Sequence, residues 1–347
     1  MADFLSMMKN EFKIVRLGEV DARGMTDHIL VLRELILAHD PTYPGIGKWY
    51  RDKVYPGLIE NNRAAFVGYF NERPAASAII KNCERSKICH IHIKNEFRNL
   101  HIGELFFVLM ALHVRTIAKN LHITMPENLW HEKNEFFKSF GFLSAKNHLV
   151  QYRADLEIVT SVDYDDFWRS AIDKFPKLCD SFSIGGYTLG DGLLFSIKPR
   201  WAHKIIDGKK KVELRKKFDK KWEGKTIGIY SSSPEQCIIG EAHIEFVDSG
   251  DPEYIWHKYN DAAGCSRIDF DDYVGDSDRI SAIVLGEVRP YKEPIPLIQL
   301  EMLTRKNLIP PQSYCTLKNN KNWSEAVSIA AMLQSGLNNA KPLIVGV

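Results

Sequence analysis

Apolar residues in this chain follow two spacings. Some stretches alternate apolar and polar at period two, the mark of a half-buried strand. Others repeat at three and four, the mark of a helix with one apolar face. Residues 12–17 read as a first strand. A helix over 25–38 puts Ile29, Leu32, Leu35 and Ile36 on one face, with Thr26 as its cap. Residues 64–70 and 75–81 are strand-like and joined by Asn71-Glu72-Arg73-Pro74, a hairpin turn. Residues 89–94 add a third strand and complete an antiparallel meander. Directly after it Ile102, Leu105, Phe106, Leu109 and Leu112 mark a buried helix face. A strand at 121–125, a short helix at 131–140 and a closing strand at 148–154 end this series.

The pattern then changes. Asp163-Tyr164-Asp165-Asp166 starts an amphipathic helix through Phe175, and a Ser/Gly-rich passage follows to Asp191, so 157–191 reads as a helical connector that packs. A strand opens at 193 and ends at Pro199, a helix runs over 200–207, and further strands are expected at 226–230, 238–246 and 280–288. Residues 299–347 carry one more amphipathic helix, 323–333, and an apolar end, 342–347. The expected class is α+β, with domains at 12–156 and 192–298. There is no internal repeat and no low-complexity segment.

Composition narrows the function classes. The chain has 347 residues, 45% of them apolar, which suits two domains with real cores. Formal net charge is +2, so no global field favours nucleic acid and any basic surface is local. The run from Lys204 to Lys225 holds ten basic residues against four acidic ones. Six scattered cysteines show no Cys-x-x-Cys and no zinc spacing; they read as reduced thiols, with no metal site expected. The longest apolar run, near Leu105–Leu112, is far too short to span a bilayer, and the N-terminus lacks the features of a signal peptide. A cytoplasmic protein with no membrane partner is the expectation.

Candidate chemistry in the first half gathers where strand meets helix. Arg98-Asn99-Leu100-His101-Ile102-Gly103 sits between them. A turn entering a helix offers unpaired backbone N–H groups and the positive end of the helix dipole, a seat for phosphate; a connection with no ligand reads equally well from spacing alone. Arg98-x-x-x-Ile102-Gly103 resembles the pyrophosphate loop of the GNAT acetyltransferases, and Phe136-Phe137-Lys138-Ser139-Phe140-Gly141-Phe142 resembles that family's second signature. His101 stands where the family has its first glycine, and Phe137 where it often has the tyrosine that protonates the leaving thiolate. The resemblance implies acetyl-CoA as co-substrate, held by Ile91, His92, Ile93, Arg98, Asn99, His101, Ile102, Gly103, Glu104 and Phe137. It also implies that strand amides near 91–93 polarise the thioester carbonyl. By residue type alone the base is Glu34, His92 or Glu96, with Asp40 and His90 as further candidates. The aromatic loop 39–51, with Tyr43, Trp49 and Tyr50 beside Lys48, Arg51 and Lys53, either walls the acceptor side or packs on the core.

In the second half, Ser196-Ile197-Lys198-Pro199 and Gly208-x-Lys210-x-x-Glu213-x-Arg215, with the three strands and the tail at 290–295, resemble the ASCH domain. That resemblance implies a small β-barrel of the PUA-like kind and an RNA partner. Lys198, Lys210, Glu213 and Arg215 are its nucleic-acid-binding candidates: Lys210 and Arg215 can neutralise phosphate, and Glu213 can accept from an exocyclic amine. Glu213 and Arg215 also share one face of a strand and can pair with each other. The leading expectation is an acetyl-CoA-dependent N-acetyltransferase acting on an RNA-linked amine, tRNA included, as monomer or homodimer. An RNA-binding regulator that senses acyl-CoA is the second reading. An ASCH-domain amidohydrolase acting on an acetylated nucleoside is the third, and the chain lacks the threonine that such members place within the lysine motif, since none lies between Lys210 and Arg215.

Overall fold

A computed structural model of the chain describes residues 12–38, 45–143, 145–147, 157–182 and 192–334. Those up to 182 form one unit and those from 192 on form another. No helix of the described residues is long and apolar enough to cross a membrane.

In the first unit the described strands β1 (Phe12–Leu17), β2 (Arg63–Phe70), β3 (Arg73–Lys81), β4 (Arg85–Ile93), β5 (Asn120–Pro126), β6 (Ala145–Asn147) and β7 (Glu157–Asp163) form one sheet in the order β1-β2-β3-β4-β5-β7-β6. The first four run as the expected antiparallel meander. The turn between β2 and β3 is tighter than the sequence suggests. Phe70 already pairs with Arg73, and only Asn71 and Glu72 remain as a loop, both left-handed (φ 47° and 61°), which matches the twist of a hairpin. β2 and β3 are buried on both faces, and their small residues make that possible. At Gly68 an added Cβ would lie 2.9 Å from the Phe12 ring.

Helices α1 (Glu19–Gly24) and α2 (Asp27–Leu37) cover one face, α2 through Ile29, Leu32, Leu35 and Ile36 as its period requires. The loop expected after α2 is partly helical: α3 (Ile46–Trp49), a π-helical turn (Tyr50–Val54) and α4 (Tyr55–Ile59) run on without a break. Tyr50, Val54 and Leu58, spaced by four, are its buried side chains. Asp40 and Tyr43 lie outside the described residues. On the other face α5 (Ile102–His113) is buried at every position but Glu104, and α6 (Glu127–Lys138) follows β5.

The connector expected at 157–191 is corrected over its described part. β7 pairs with β5 along its whole length, from Asn120↔Asp163 to Pro126↔Glu157, because Ile158, Thr160 and Val162 alternate inward. α7 (Tyr164–Phe182) packs on α5. Its Tyr164 hydroxyl donates to the Ala111 carbonyl (2.6 Å), and Trp168 lies under the buried Arg115 guanidinium, 4.6 Å from ring centre to carbon. The expected strand at 148–154 and the apolar end at 342–347 lie outside the described residues.

The second unit is built on β8 (Leu193–Ile197), β9 (Val212–Arg215), β10 (Thr226–Ser231), β11 (Cys237–Gly250), β12 (Ile280–Pro296) and β13 (Tyr314–Thr316), ordered β13-β8-β10-β11-β12-β9. β8 and β10 are parallel; the other neighbours are antiparallel. α8 (Pro199–Ile206) closes one face over Phe195, Ile197, Ile227, Ile229 and Ile283. α9 (Pro252–Ala263) and α10 (Arg267–Val274) pack on Val212 and Leu214. α11 (Leu297–Thr304) and α12 (Lys321–Gln334) contact each other and β12.

One buried carboxyl sets a pH dependence here. Glu241 on β11 is 3% exposed; Tyr291 donates to its Oε1 (2.9 Å), and its Oε2 has no hydrogen-bond partner. Burial pushes the carboxyl up to about 8 against the Tyr291 hydrogen bond and the Arg289 charge. The folded state therefore holds a proton that the unfolded chain gives up near its ordinary value of 4.5. Stability is full below that value and falls as pH rises to about 8, then levels. Urea unfolding of Glu241→Gln should show the second unit's stability flat between pH 5 and pH 8, where the parent loses a few kcal/mol. A parent equally stable at both pH values contradicts this.

Candidate functional site

The first unit's sheet opens at one end. β4 and β5 pair from Arg85↔Asn120 to Ile88↔Ile123 and no further. Beyond that point β4 follows β3 to Ala76↔Ile93, while β5 follows β7 to Pro126↔Glu157. The register of β3 on β4 slips between Ile79 and Ile80, so Cys89 is an extra, bulged residue where the two strands part. From there the edge formed by residues 89–93 has no ladder to β5.

The start of α5 closes over this end. Asn99 and His101 are left-handed (φ 66° and 59°), a conformation that costs His more than the glycine in whose place it stands. An added Cβ at Gly103 would lie 3.3 Å from the Ile93 side chain and 3.5 Å from the Phe136 ring, so the first turn of α5 sits close on the end of β4. This contact brings Ile91, His92 and Ile93 to the same end as Arg98, Asn99, His101, Ile102, Gly103 and Glu104. The Glu104 carboxylate, in the first turn, bonds the His101 ring and offsets part of the positive end of the helix. Arg98 is exposed.

The pairings Ile79↔His90 and Ser77↔His92 put both histidines on the face that α2, α3 and α4 cover. His90 Nε2 lies 3.0 Å from the buried Ser77 hydroxyl, and its ring is 6.4 Å from Trp49 and 6.5 Å from His92. Trp49 of the aromatic segment thus reaches the parted strand. Of the other base candidates, Glu34 is exposed on α2 and Glu96 is 3.6 Å from Arg73. Phe137 is 4% exposed and stacks on Trp130 within a cluster that includes Phe107, Phe136 and Phe142.

The basic motif of the second unit is buried. Lys210, Glu213 and Arg215 are 4%, 7% and 8% exposed. Glu213 lies 3.1 Å from Arg215 and 3.5 Å from Lys210, and the Lys210 ammonium donates to the Ala263 carbonyl at the end of α9 (2.8 Å). Arg215 donates to Ser313 Oγ (2.9 Å) and to the Ser196 carbonyl (3.4 Å), and stands over the Phe195 ring. Lys210 and Arg215, expected to contact phosphate directly, are thus held by protein partners. A charge this deep is stable only when paired, and these groups pair with one another, as the same-face alternative anticipated. Lys198 alone of the four is exposed. Sequence reading placed Ser196 in a motif without a role for its carbonyl, and it missed Ser313 and the Ala263 carbonyl, which carry no pattern of their own. It also passed over α9 and α10, although Asp251 caps one and Ser266 with Asp269 boxes the start of the other, a legible signal. Beside this network Trp201 carries Arg200 at 4.2 Å and Lys204 at 4.9 Å from its ring centre. Among the described residues no cluster of His, Cys, Asp or Glu could hold a metal ion.

Comparison with known proteins gives separate results for the two halves. A family model described as a domain of unknown function, DUF365, matches residues 191–303. An ASCH domain-containing ribonuclease of Zymomonas mobilis is 30% identical over 141 residues, 41% of this chain and 93% of that protein. The crystal structure of ASCH from Zymomonas mobilis is similar at 31% identity, covering 40% of this chain and 94% of that one, with a TM-score of 0.36. The PaiA N-acetyltransferase of Thermoplasma acidophilum, solved in complex with coenzyme A, is 13% identical and covers 44% of this chain and 99% of that one, with a TM-score of 0.32.

The buried network makes a stability prediction. Arg215→Leu leaves Glu213 short of a partner and should cost about 3–5 kcal/mol in urea unfolding. Adding Glu213→Leu should recover part of that loss, because both charges are then gone. A double variant less stable than the single one by the sum of two independent losses refutes the coupling.

Proposed function

We propose that this chain, which belongs to the ASCH family through its second unit, is an acetyl-CoA-dependent N-acetyltransferase acting on an RNA-linked amine, with a first unit of the GNAT kind. The parting of β4 from β5 opposite the start of α5 carries this reading. An extended pantetheine arm can add to the open edge of residues 89–93 as a strand would, and its pyrophosphate fits the N–H groups at the start of α5. Amides at 91–93 then face the thioester carbonyl and stabilise the oxyanion that forms when an amine attacks. His92, or His90 beside it, takes the proton from the amine. With Phe137 packed among aromatics, the leaving thiolate takes its proton from water.

RNA enters through the second unit. Its relative at 30% identity is named a ribonuclease, and Lys198 and Arg200 stand exposed at the start of α8. The Lys210–Glu213–Arg215 network shapes this unit without meeting phosphate itself. The protein as a whole would hold an RNA on one unit and acetylate an amine on it with the other.

Calorimetry with acetyl-CoA tests the cofactor seat. Arg98→Glu should weaken binding at least tenfold without touching the fold, since Arg98 is exposed. Glu104→Gln should tighten it by about 2–5-fold, because a carboxylate at a helix start competes with phosphate for the same positive end. Both effects should shrink as salt rises. No heat with the parent, or no change in either variant, removes acetyl-CoA from this loop. Binding without acetyl transfer to any RNA would instead assign the unit to acyl-CoA sensing.

A further inference from the structure

We propose that the sheet face carrying Arg63, Lys81, Arg85 and Lys87 in the first unit is a seat for a phosphate group of the acceptor. The acetyltransferase reading supplies the source of that phosphate; the seat itself stands without it.

Strand register gathers the cations. Ile80 pairs with Ile88, and both are buried on one face, so their neighbours Lys81 and Lys87 turn to the other. Arg63 is paired with Lys81 and joins it there. Lys87 is paired with His122, and Arg85, two residues earlier on β4, takes the same side. Leu121 and Ile123, which flank His122, are buried on the opposite face. Arg63, Lys81, Lys87 and His122 are half-buried and Arg85 is exposed, so solvent reaches this floor. Cys89 follows on β4 and packs at the edge of the core beneath α2 and α4.

The charge on this floor is unbalanced. Lys81 and Arg85 have no side-chain partner among the described residues. Burial first, and then the charges of Lys87, Arg85 and Lys81, hold the His122 imidazole down at about 4, so it stays neutral. Burial raises the Cys89 thiol, and Arg63, Lys87 and Lys81 pull it back. Carboxylates at this edge serve elsewhere: Glu84 holds Lys119 (2.8 Å), and Asp163, in line with Arg85 across Asn120, accepts from the Asp165 amide (2.9 Å). Two polar atoms of the floor, Arg63 Nε and His122 Nδ1, are buried without a hydrogen-bond partner among the described residues. Like charges gathered on a half-buried surface repel and work against the fold, and a bound anion removes that cost. Such local losses of stability are kept where a ligand needs them.

Position sets the class of acceptor. Lys87 and His92 lie on the same strand, β4, about 15 Å apart along it. The amine meets the thioester at residues 91–93, so the phosphate that Lys87 holds is that far from the amine. A small amine cannot span this distance, and a nucleotide chain can.

His122 reports on the seat from within it. Its ring signals, assigned by their absence in His122→Gln, can be followed by NMR in the full chain without acetyl-CoA. A short single-stranded RNA, and separately inorganic phosphate, should shift them saturably. Each should also raise their titration midpoint from about 4 toward the ordinary 6.5, because an anion offsets the cations around the ring. Lys81→Gln combined with Arg85→Gln should weaken the RNA effect about tenfold or more, while calorimetric binding of acetyl-CoA stays at the parent's value. His122 signals that neither ligand moves would overturn the seat and leave acetyl transfer standing. A response to phosphate alone would overturn the acceptor as its source, and a double variant that responds like the parent would remove the cations from it. A parent that binds no acetyl-CoA while His122 still answers to RNA would sink the transferase reading and keep the seat.

Discussion

Arg215 holds the second unit's sheet together across the gap that its strands leave. The strand order places β9 at one edge and β8 with β13 at the other. Arg215 stands on β9 and donates to the Ser196 carbonyl on β8 and to Ser313, the residue before β13. One guanidinium therefore bridges both edges of the sheet where no backbone ladder does. Its planar fork suits this, since a single donor could not serve two strands and Glu213 together. The cost of burying it is offset by Glu213, whose own burial is offset in turn by Lys210. Lys210 then ties the network to the end of α9, where the helix leaves its last carbonyls exposed. Barrel closure, ion pairing and helix capping are one interaction here.

The first unit depends on a different device, the loss of pairing rather than its gain. Two parallel strands with a helix between them would ordinarily stay paired along their length. Here β5 turns to β7 and β4 keeps to β3, and the bulge at Cys89 falls where they separate. The largely apolar α5 explains why the sheet tolerates the gap. Buried along its length, it fixes the end of β4 through Gly103 and Ile93 without help from β5.

Much of this was legible in the sequence, and the failures share a cause. The meander, α2, α5 and the two domain cores follow from period and turn chemistry, which are local. The helical run from Ile46 and the strand Glu157–Asp163 were misread because aromatic-rich or mixed segments have weak periodicity, and only packing decides them. The site residues divide in the same way. Arg98 to Glu104 could be placed at the start of a helix because a strand–turn–helix junction has a local pattern. Ser313 could not be assigned to Arg215, because nothing in spacing records which loops meet across a barrel. Lys210 and Arg215 show a subtler limit, since a sequence displays charge but not depth.

Depth changes what the charge can do. The basic run from Lys204 to Lys225 looks from sequence like a surface for a polyanion. Its most distinctive members, Lys210 and Arg215, are spent on Glu213 and on backbone carbonyls. Lys209 and Lys221 lie 3.1 and 3.0 Å from Asp207 and Asp219, so these two exposed cations have an anion beside them. Such pairs add little field at a distance of one screening length. Lys198, outside the run, is exposed and unpaired among the described residues. On a chain of net charge +2, an anion is drawn to unbalanced groups, Lys198 and the exposed Lys211, Lys216, Lys217 and Lys220 of the run among them. Lys198, at the start of α8 where the helix dipole is positive, is more open to an anion than the buried Lys210 and Arg215.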